Sequence, residues 1–249
     1  MKKLFLLLLI SINTVSFSQG VNQLIAEGDA LQDAMNENAA LGKYLTAAQA
    51  DPYNIYALCQ SSFLYGRIAG RLKNNKTEQD RNFDLAKAYA ESALKVNPYN
   101  PEANVAMAIA MGRVALKKGG KEKINAVKDI KKYADLALKY DPNNYKAWHV
   151  IAKWNYEISS LNFFERTAVK VFFGDLPTAT IDDAVAGYKK SMSLNPSFLL
   201  NYLSIAKAYD KKDDPDTAKR YLNTLLNMPI KMTDDFTIKK EARDLLAKL

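Results

Sequence analysis

Cysteine and histidine are nearly absent from this chain of 249 residues, since each occurs once, as Cys59 and His149. A single thiol cannot form an internal disulfide, so packing must supply the stability. The same scarcity excludes the usual zinc sites in a monomer. The sequence also lacks HExxH, GxxxxGK and Gly-rich phosphate motifs and any recognisable catalytic triad. We therefore expect no metal, no cofactor and no enzymatic activity.

Glycine and proline are scarce too, with 10 and 8 residues, and no stretch alternates apolar with polar residues as a half-buried strand does. Hydrophobic residues make up 48% of the chain, which is enough to build a core. These features predict an all-α protein.

A long apolar run is also missing. The longest run, within residues 4–12, has nine residues, whereas about 20 are needed to span a bilayer. Two lysines precede this run and small residues follow it, which is typical of a secretory signal peptide. We expect cleavage near Ser18 and Gln19, removing residues 1–18 and leaving a periplasmic or secreted domain over 19–249; a retained anchor is the alternative.

The charge is basic throughout. Loss of the two leading lysines lowers the formal net charge from +8 to +6. A nucleic acid is not an expected partner of an exported chain, so another protein, an acidic peptide or an anionic lipid fits this charge better.

A recurring phrase organises the chain. It reads YLTAAQADPYNIYAL (44–58), YAESALKVNPYNPEA (89–103), YADLALKYDPNNYKA (133–147) and YKKSMSLNPSFLL (188–200). Each phrase ends an amphipathic helix with Asp-Pro or Asn-Pro, because proline cannot continue the helix that precedes it. The pattern is similar to the tetratricopeptide repeat.

This similarity predicts an all-α, right-handed, tetratricopeptide-like helical solenoid with inserted helices and a C-terminal capping helix. We expect a single domain with units at about 21–54, 55–100, 101–144, 145–198 and 199–232 and a cap at 233–249. Asp234 and Asp235 favour the start of that last helix.

Three units are longer than the standard repeat. The first insertion, residues 73–84, is polar and is predicted to be a loop. The second, residues 117–132, is rich in lysine, and either a solvated loop or peripheral membrane contact would explain it. The third, within 159–177, carries two Phe pairs at helical spacing. Thr180 and Asp183 after it resemble a capping box.

Positions 7, 11 and 15 residues after each turn proline share one helix face. In tetratricopeptide arrays this face lines the concave groove. The predicted groove residues are Cys59, Phe63, Arg67, Val105, Ile109, Arg113, His149, Lys153, Glu157, Leu203, Lys207 and Lys211.

Arg67 and Arg113 occupy equivalent positions, and each follows a glycine. With Arg71 they form either an anion-binding cluster or a set of ion pairs with Asp29, Asp33 or Glu102. His149 is more typical of a hydrogen-bonded structural residue than of a base.

Three stretches carry a resemblance to a known family. They are LYGRIAGRL (64–72), AWHVIAKWNYEISSLNFFERTAVKVFFGDLPTATIDDAVAGYKKSMSLNPSF (147–198) and KKEARDLLAKL (239–249). They resemble the regulator of microtubule dynamics family, whose members have a tetratricopeptide-like helical domain. Residues that match the family pattern are Arg67, Arg71, His149, Trp154, Phe164, Arg166, Phe172 and Pro177.

The resemblance implies association with microtubules in eukaryotic members and, for one member, tethering and phospholipid transfer at organelle contacts. An exported bacterial-type chain meets no microtubules, so groove binding of a lipid or an acidic ligand is the property that transfers to this compartment.

Two hypotheses follow. The first is a binding module whose groove accepts an acidic peptide or an anionic amphiphile. The second is a structural scaffold in an envelope assembly, with a groove filled by residues 159–177. The candidate ligand-binding residues are Phe63, Arg67, Arg71, Ile109, Arg113, His149, Lys153, Trp154, Phe164 and Phe172.

Overall fold

The structure, a computed structural model, describes residues 19–115, 120–162, 165–167, 170–171 and 178–249. Its helices are α1 (19–33), α2 (Glu37–Ala50), α3 (Ile55–Arg71), α4 (Lys76–Val96), α5 (Pro101–Ala115), α6 (Gly120–Tyr140), α7 (Tyr145–Ser159), α8 (Ile181–Leu194), α9 (Leu199–Lys211), α10 (Pro215–Asn227) and α11 (Thr233–Leu246). No strand occurs in these ranges, so the all-α prediction is confirmed for them. Among the same residues, no helix is both long and apolar enough to cross a membrane.

The repeated Asp-Pro and Asn-Pro phrases fold into closely similar turns. The side chain of the first residue accepts a hydrogen bond at 2.9–3.1 Å from a backbone N–H two positions on; the donors are Tyr53, Tyr99, Asn143 and Ser197. In three turns an asparagine then caps the next helix by accepting from a backbone N–H at 2.9–3.0 Å; these are Asn54, Asn100 and Asn144. Each turn therefore ends one helix and starts the next.

Small residues let the helices approach closely. Buried alanines such as Ala47, Ala57 and Ala90 form one core cluster across α2 to α5. Between α7 and α8, a Cβ added to Gly187 would lie only 2.9 Å from the Cβ of Ala152. The first helices of successive pairs also lie side by side, because α3 contacts α5, α5 contacts α7, and α7 contacts α9. This row of helices positions the candidate site.

Two insertions are helical where a loop was predicted. Residues 76–84 of the first insertion belong to α4, and residues 120–132 of the second belong to α6; both helices are 21 residues long. The loop prediction was wrong for residues 76–84, whose polar side chains lie largely on the solvent side of a helix that Asn75 caps with its side chain, and for residues 120–132, which continue α6; residues 117–119 lie outside the described residues. The peripheral membrane contact at 117–132 stays a prediction.

The third insertion is described only in part. Residues 165–167 and 170–171 are helical. Phe164 and Phe172 lie outside the described residues. Filling of the groove by residues 159–177 therefore stays a prediction. The capping box is confirmed: Thr180 accepts from the backbone of Asp183, whose side chain accepts from the backbone of Thr180.

Candidate functional site

Arg67 and Arg71 lie one turn apart on α3 and share one acid. Glu37 is the first residue of α2, where the helix dipole favours a carboxylate, and its side chain is only 4% exposed. The Nη2 atom of Arg67 lies 3.4 Å from one carboxylate oxygen of Glu37, and Arg71 pairs with the other. The two guanidinium groups are thus fixed between α2 and α3.

Arg71 also pairs with Asp234, which lies at the start of α11, 163 residues later. Burial alone would lower the pKa of Arg71, but its hydrogen bonds to Asp234 and Glu37 raise that pKa above the usual value. A carboxylate near the C-terminal end of the chain therefore pairs with an arginine of α3.

Arg113 on α5 completes the arginine cluster, which we define as Arg67, Arg71 and Arg113. Its guanidinium reaches α3, where its Nη1 would lie 3.9 Å from a Cβ added at Gly70. Burial lowers the pKa of Arg113, and the charge of Asp234 opposes this effect. No carboxylate in the described ranges lies within ion-pair distance of Arg113, although Asp234 acts on it from further away.

Residues around the cluster leave two buried polar atoms without a hydrogen-bond partner among the described residues: Nε of Arg67 and Oδ1 of Asp235. Another Arg67 nitrogen, Nη1, contacts the sulfur of Met232 at 3.2 Å. A buried polar group without a partner costs about 1–3 kcal/mol. Arg67 on α3 and Asp235 at the start of α11 therefore each keep one buried polar atom without a described partner.

An apolar level lies one turn before the arginines. Phe63 precedes Arg67 by four residues, and Ile109 precedes Arg113 by four, so each pair shares a helix face. Phe63 and Ile109 are both partly buried in one cluster. The Nζ atom of Lys146 lies 4.4 Å from the ring centroid of Phe63, a cation–π contact.

None of the three acids named as alternative partners of the arginines forms an ion pair with the cluster in the described ranges, and two of them have other partners. Asp29 accepts hydrogen bonds from the hydroxyls of Tyr44 and Tyr56, at 2.5 and 2.7 Å. Glu102 pairs with Lys146 instead. For Asp33, the described residues show no ion pair with the cluster.

His149 lies in the interior rather than on an open groove, so its assignment to the ligand site is not retained. Its Nδ1 lies 2.6 Å from Oδ1 of Asn201, whose Nδ2 donates to Ser191 at 2.7 Å. Ser191 donates in turn to the backbone oxygen of Tyr145 at 2.6 Å. The histidine therefore joins α7, α8 and α9 through a buried hydrogen-bond chain.

The ring of His149 also packs against Tyr188 and Phe198, with centroid distances of 5.4 and 5.2 Å. Burial is the main reason that the pKa of His149 falls to about 4; the hydrogen bond to Asn201 opposes this shift and the charge of Lys153 adds to it. The side chain is neutral near pH 7.

Trp154 and Lys153 do not join the arginine cluster. Trp154 is buried, donates to the backbone oxygen of Val127 at 3.0 Å and lies beneath Lys131. Lys153 is exposed and pairs with Glu157 on its own helix at 2.9 Å. These contacts indicate core and surface roles, respectively.

The groove level seven residues after each proline is closed. Cys59, Val105, His149 and Leu203 are all buried, because the neighbouring helices cover this level. Burial is the largest of the causes that raise the pKa of the Cys59 thiol to about 12, so it is not a nucleophile near neutral pH. No group of three or more potential metal ligands occurs in the part of the chain that the structure describes.

Sequence reasoning missed Glu37, Met232 and Asp234 as neighbours of the cluster. Glu37 carried a weak signal, because an acid at the start of a helix is common and needs no partner. Asp234 was noted only as a favourable residue for starting α11. Its contact with α3 joins positions that are 163 residues apart, so no local signal indicates it.

Comparison with known proteins agrees with this architecture. A sequence profile of the family described as Regulator of microtubule dynamics protein 1-3 matches residues 24–249. The chain is similar to regulator of microtubule dynamics protein 1 of Caenorhabditis elegans, with 31% identity over 160 residues, covering 64% of this chain and 71% of the relative.

It is also similar to regulator of microtubule dynamics protein 2 of Rattus norvegicus, with 26% identity over 179 residues. That match covers 72% of this chain and 43% of the rat protein, so the chain spans less than half of that relative.

Among solved structures, a thermophilic tetratricopeptide-repeat protein of Thermus thermophilus superposes with a TM-score of 0.64 and 11% identity, covering 91% of this chain and 99% of that one. The predicted tetratricopeptide-like helical solenoid is thereby confirmed.

Proposed function

We propose that this chain, which belongs to the regulator of microtubule dynamics family, is a non-catalytic interaction module that binds an acidic segment of another protein at the arginine cluster. One observation carries the proposal: the three guanidinium groups have only two described carboxylates beside them, Glu37 and Asp234, and Arg113 pairs with neither. Guanidinium groups bind carboxylates through paired hydrogen bonds. The carboxylate of an acidic segment would give Arg113 the negatively charged partner that the described residues do not provide.

The apolar residues beside the cluster indicate a second feature of the partner. Phe63 and Ile109 are only partly buried and sit one turn from Arg67 and Arg113. We expect the partner to place an apolar side chain there, next to its carboxylate. An anionic amphiphile combines the same two chemical features, so the experiment must separate the two ligands.

Fluorescence anisotropy with a panel of acidic peptides tests this function, with the matching amide peptides (Asp to Asn, Glu to Gln) as probe controls. Arg113→Gln should abolish binding, whereas Arg220→Gln, which removes an exposed arginine of α10, should leave it unchanged. Affinity should fall with added salt, because the contact is electrostatic. Vesicles containing an anionic phospholipid form the second arm. Binding to vesicles alone, with no acidic peptide bound, would contradict the peptide proposal.

We propose further that the helix pairs α1–α2, α3–α4, α5–α6, α7–α8 and α9–α10 are the five repeat units of one domain over 19–249, and that α11 is its cap. The close fit of each Asp-Pro or Asn-Pro turn between consecutive pairs supports this division. Limited proteolysis should therefore yield no stable fragment ending inside a pair.

Export is a separate proposal. The lysine-led apolar run of residues 4–12 supports cleavage near Ser18 and Gln19 and a periplasmic or secreted site of action. The partner is then an envelope or secreted protein, and the microtubules in the relatives' names are not proposed as a target. In protein recovered after osmotic shock, the N-terminal peptide identified by mass spectrometry should begin at Gln19. A peptide that retains residues 1–18 would contradict cleavage, and absence of the protein from the envelope and medium fractions would contradict export.

A further inference from the structure

The start of α11 contacts the arginine cluster, although the rest of that helix packs against α9 and α10. Its apolar residues Ile238 and Ala242 are buried with Leu222 and Leu225 of α10. We define residues 231–235 as the closing segment. This segment reaches the cluster on α3 from a helix whose core contacts lie elsewhere.

The closing segment meets the first three helices through contacts that are polar or involve sulfur. Asp234 pairs with Arg71, and Met232 places its sulfur 3.2 Å from Arg67. The hydroxyl of Thr233 lies 3.4 Å from the backbone oxygen of Met35, a long hydrogen bond. No apolar cluster in the described ranges joins α11 to α2 or α3. Such a junction separates without exposing a large apolar surface.

The same junction contains unpaired groups. Nε of Arg67 and Oδ1 of Asp235 are both buried and have no described partner. The other oxygen of Asp235 accepts from the backbone N–H groups of Lys231 and Met232, at 2.8 and 2.9 Å. The closing segment thus has hydrogen bonds within itself, whereas Nε of Arg67 on α3 has no described partner.

We propose that the closing segment is an internal acidic ligand of the arginine cluster, which an acidic partner segment displaces. This inference rests on the proposed function, because it requires the cluster to bind an external carboxylate. In this proposal, Asp234 occupies the position of the partner's carboxylate. Met232 occupies the position of an apolar side chain two residues before that acid. The partner class is therefore a peptide with an apolar residue two positions before an acid.

The probe is a fluorescent nine-residue peptide with the chain's own sequence 229–237, PIKMTDDFT. Four proteins are compared: the wild type, Asp234→Asn, Asp234→Asn with Arg71→Gln, and Asp244→Asn. Asp244 is a matched control because it lies on the same helix but pairs with Lys240 at the surface. A peptide with asparagine at both acidic positions controls for charge, and circular dichroism confirms that each protein is folded.

Loss of the internal acid should strengthen binding of the acidic peptide to Asp234→Asn by about 5-fold or more, the lower end of typical coupling between sites. Asp244→Asn should bind like the wild type, and adding Arg71→Gln should remove the gain. Equal, Arg71-dependent binding to the wild type and Asp234→Asn would overturn the internal-ligand inference and leave the proposed function standing. Absence of binding to every variant would overturn the proposed function and this inference together.

A distance measurement supplies a second readout. Spin labels at Asn38→Cys and Thr237→Cys, both exposed positions, report on the separation of α2 and α11. The native Cys59 is buried and remains unlabelled. Saturating acidic peptide should lengthen or broaden the distance distribution. An unchanged distribution at saturation would contradict displacement.

Discussion

Arg71, the last residue of α3, and Asp234, near the start of α11, form an ion pair although 163 residues separate them. The same arginine pairs with Glu37 at the start of α2. One guanidinium therefore connects three helices, two near the start of the array and one at its end. Asp234, an acid of the protein itself, thereby neutralises part of the arginine cluster.

Arg71→Gln should lower the free energy of unfolding by about 1–3 kcal/mol, because it leaves Glu37 buried with one oxygen unpaired. Urea unfolding at pH 7 measures this change. Arg220→Gln, at an exposed position, should stay within about 0.5 kcal/mol of the wild type. Equal stability of the two variants would show that the ion pair to Glu37 contributes nothing.

Arg113→Gln should behave differently from Arg71→Gln. Arg113 is partly buried and has no described ion-pair partner, so the charge of the more distant Asp234 only partly offsets its desolvation. We expect the variant to unfold at the same urea concentration as the wild type or at a higher one. A clear loss of stability in this variant would mean that Arg113 supports the fold.

His149 should make the stability depend on pH. Its pKa in the folded protein is about 4, below the ordinary value of 6.5, so between these values the unfolded chain binds a proton that the folded protein excludes. This contribution is complete above pH 6.5 and is lost as the pH falls toward 4. The loss amounts to about 3 kcal/mol.

Urea unfolding of the wild type and of His149→Gln at several pH values between 7 and 4 isolates this effect, because the other acids titrate in both proteins. The wild type should lose more stability than the variant over this range. Parallel pH profiles would show that the histidine is not excluded from protonation.

Two glycines should respond oppositely to alanine. At Gly187 the new Cβ would meet the Cβ of Ala152 at 2.9 Å and its Cα at 3.2 Å, so Gly187→Ala should destabilise by about 1–3 kcal/mol. At Gly66 the nearest atom, the Cβ of Ala86, is 4.0 Å away, so Gly66→Ala should stabilise α3 by up to about 1 kcal/mol. Thermal unfolding of both variants checks the contrast; a lower melting temperature for Gly66→Ala would indicate that the glycine is needed for packing.

The turns between helix pairs were predictable because their signals are local. Each phrase contains the residue that closes a helix, the proline that stops it and, in three phrases, the asparagine that caps the next, all within four positions. The equivalence of Arg67 and Arg113 follows from the same repeat. Local chemistry also predicted the capping box of Thr180 and Asp183.

The ion pair between Arg71 and Asp234 was not predictable, because it joins residues that are 163 positions apart in the sequence. Nothing near Asp234 in the sequence indicates that it meets Arg71. Burial of His149 likewise depends on α9, which supplies Asn201 from 52 residues away. The insertions were misassigned because a polar segment is equally compatible with a loop and with the exposed face of a long helix.

Binding of an acidic peptide to wild-type protein and to Arg113→Gln, measured by fluorescence anisotropy at low salt, tests the central claim most directly. Arg113 has no described ion pair to lose, so we expect the variant to keep its fold and the measurement to report on the site alone. We predict that the wild type binds acidic peptides and not their amide analogues, and that Arg113→Gln does not bind them. Equal affinity of both proteins for the acidic peptide would contradict an acidic-segment site at the arginine cluster.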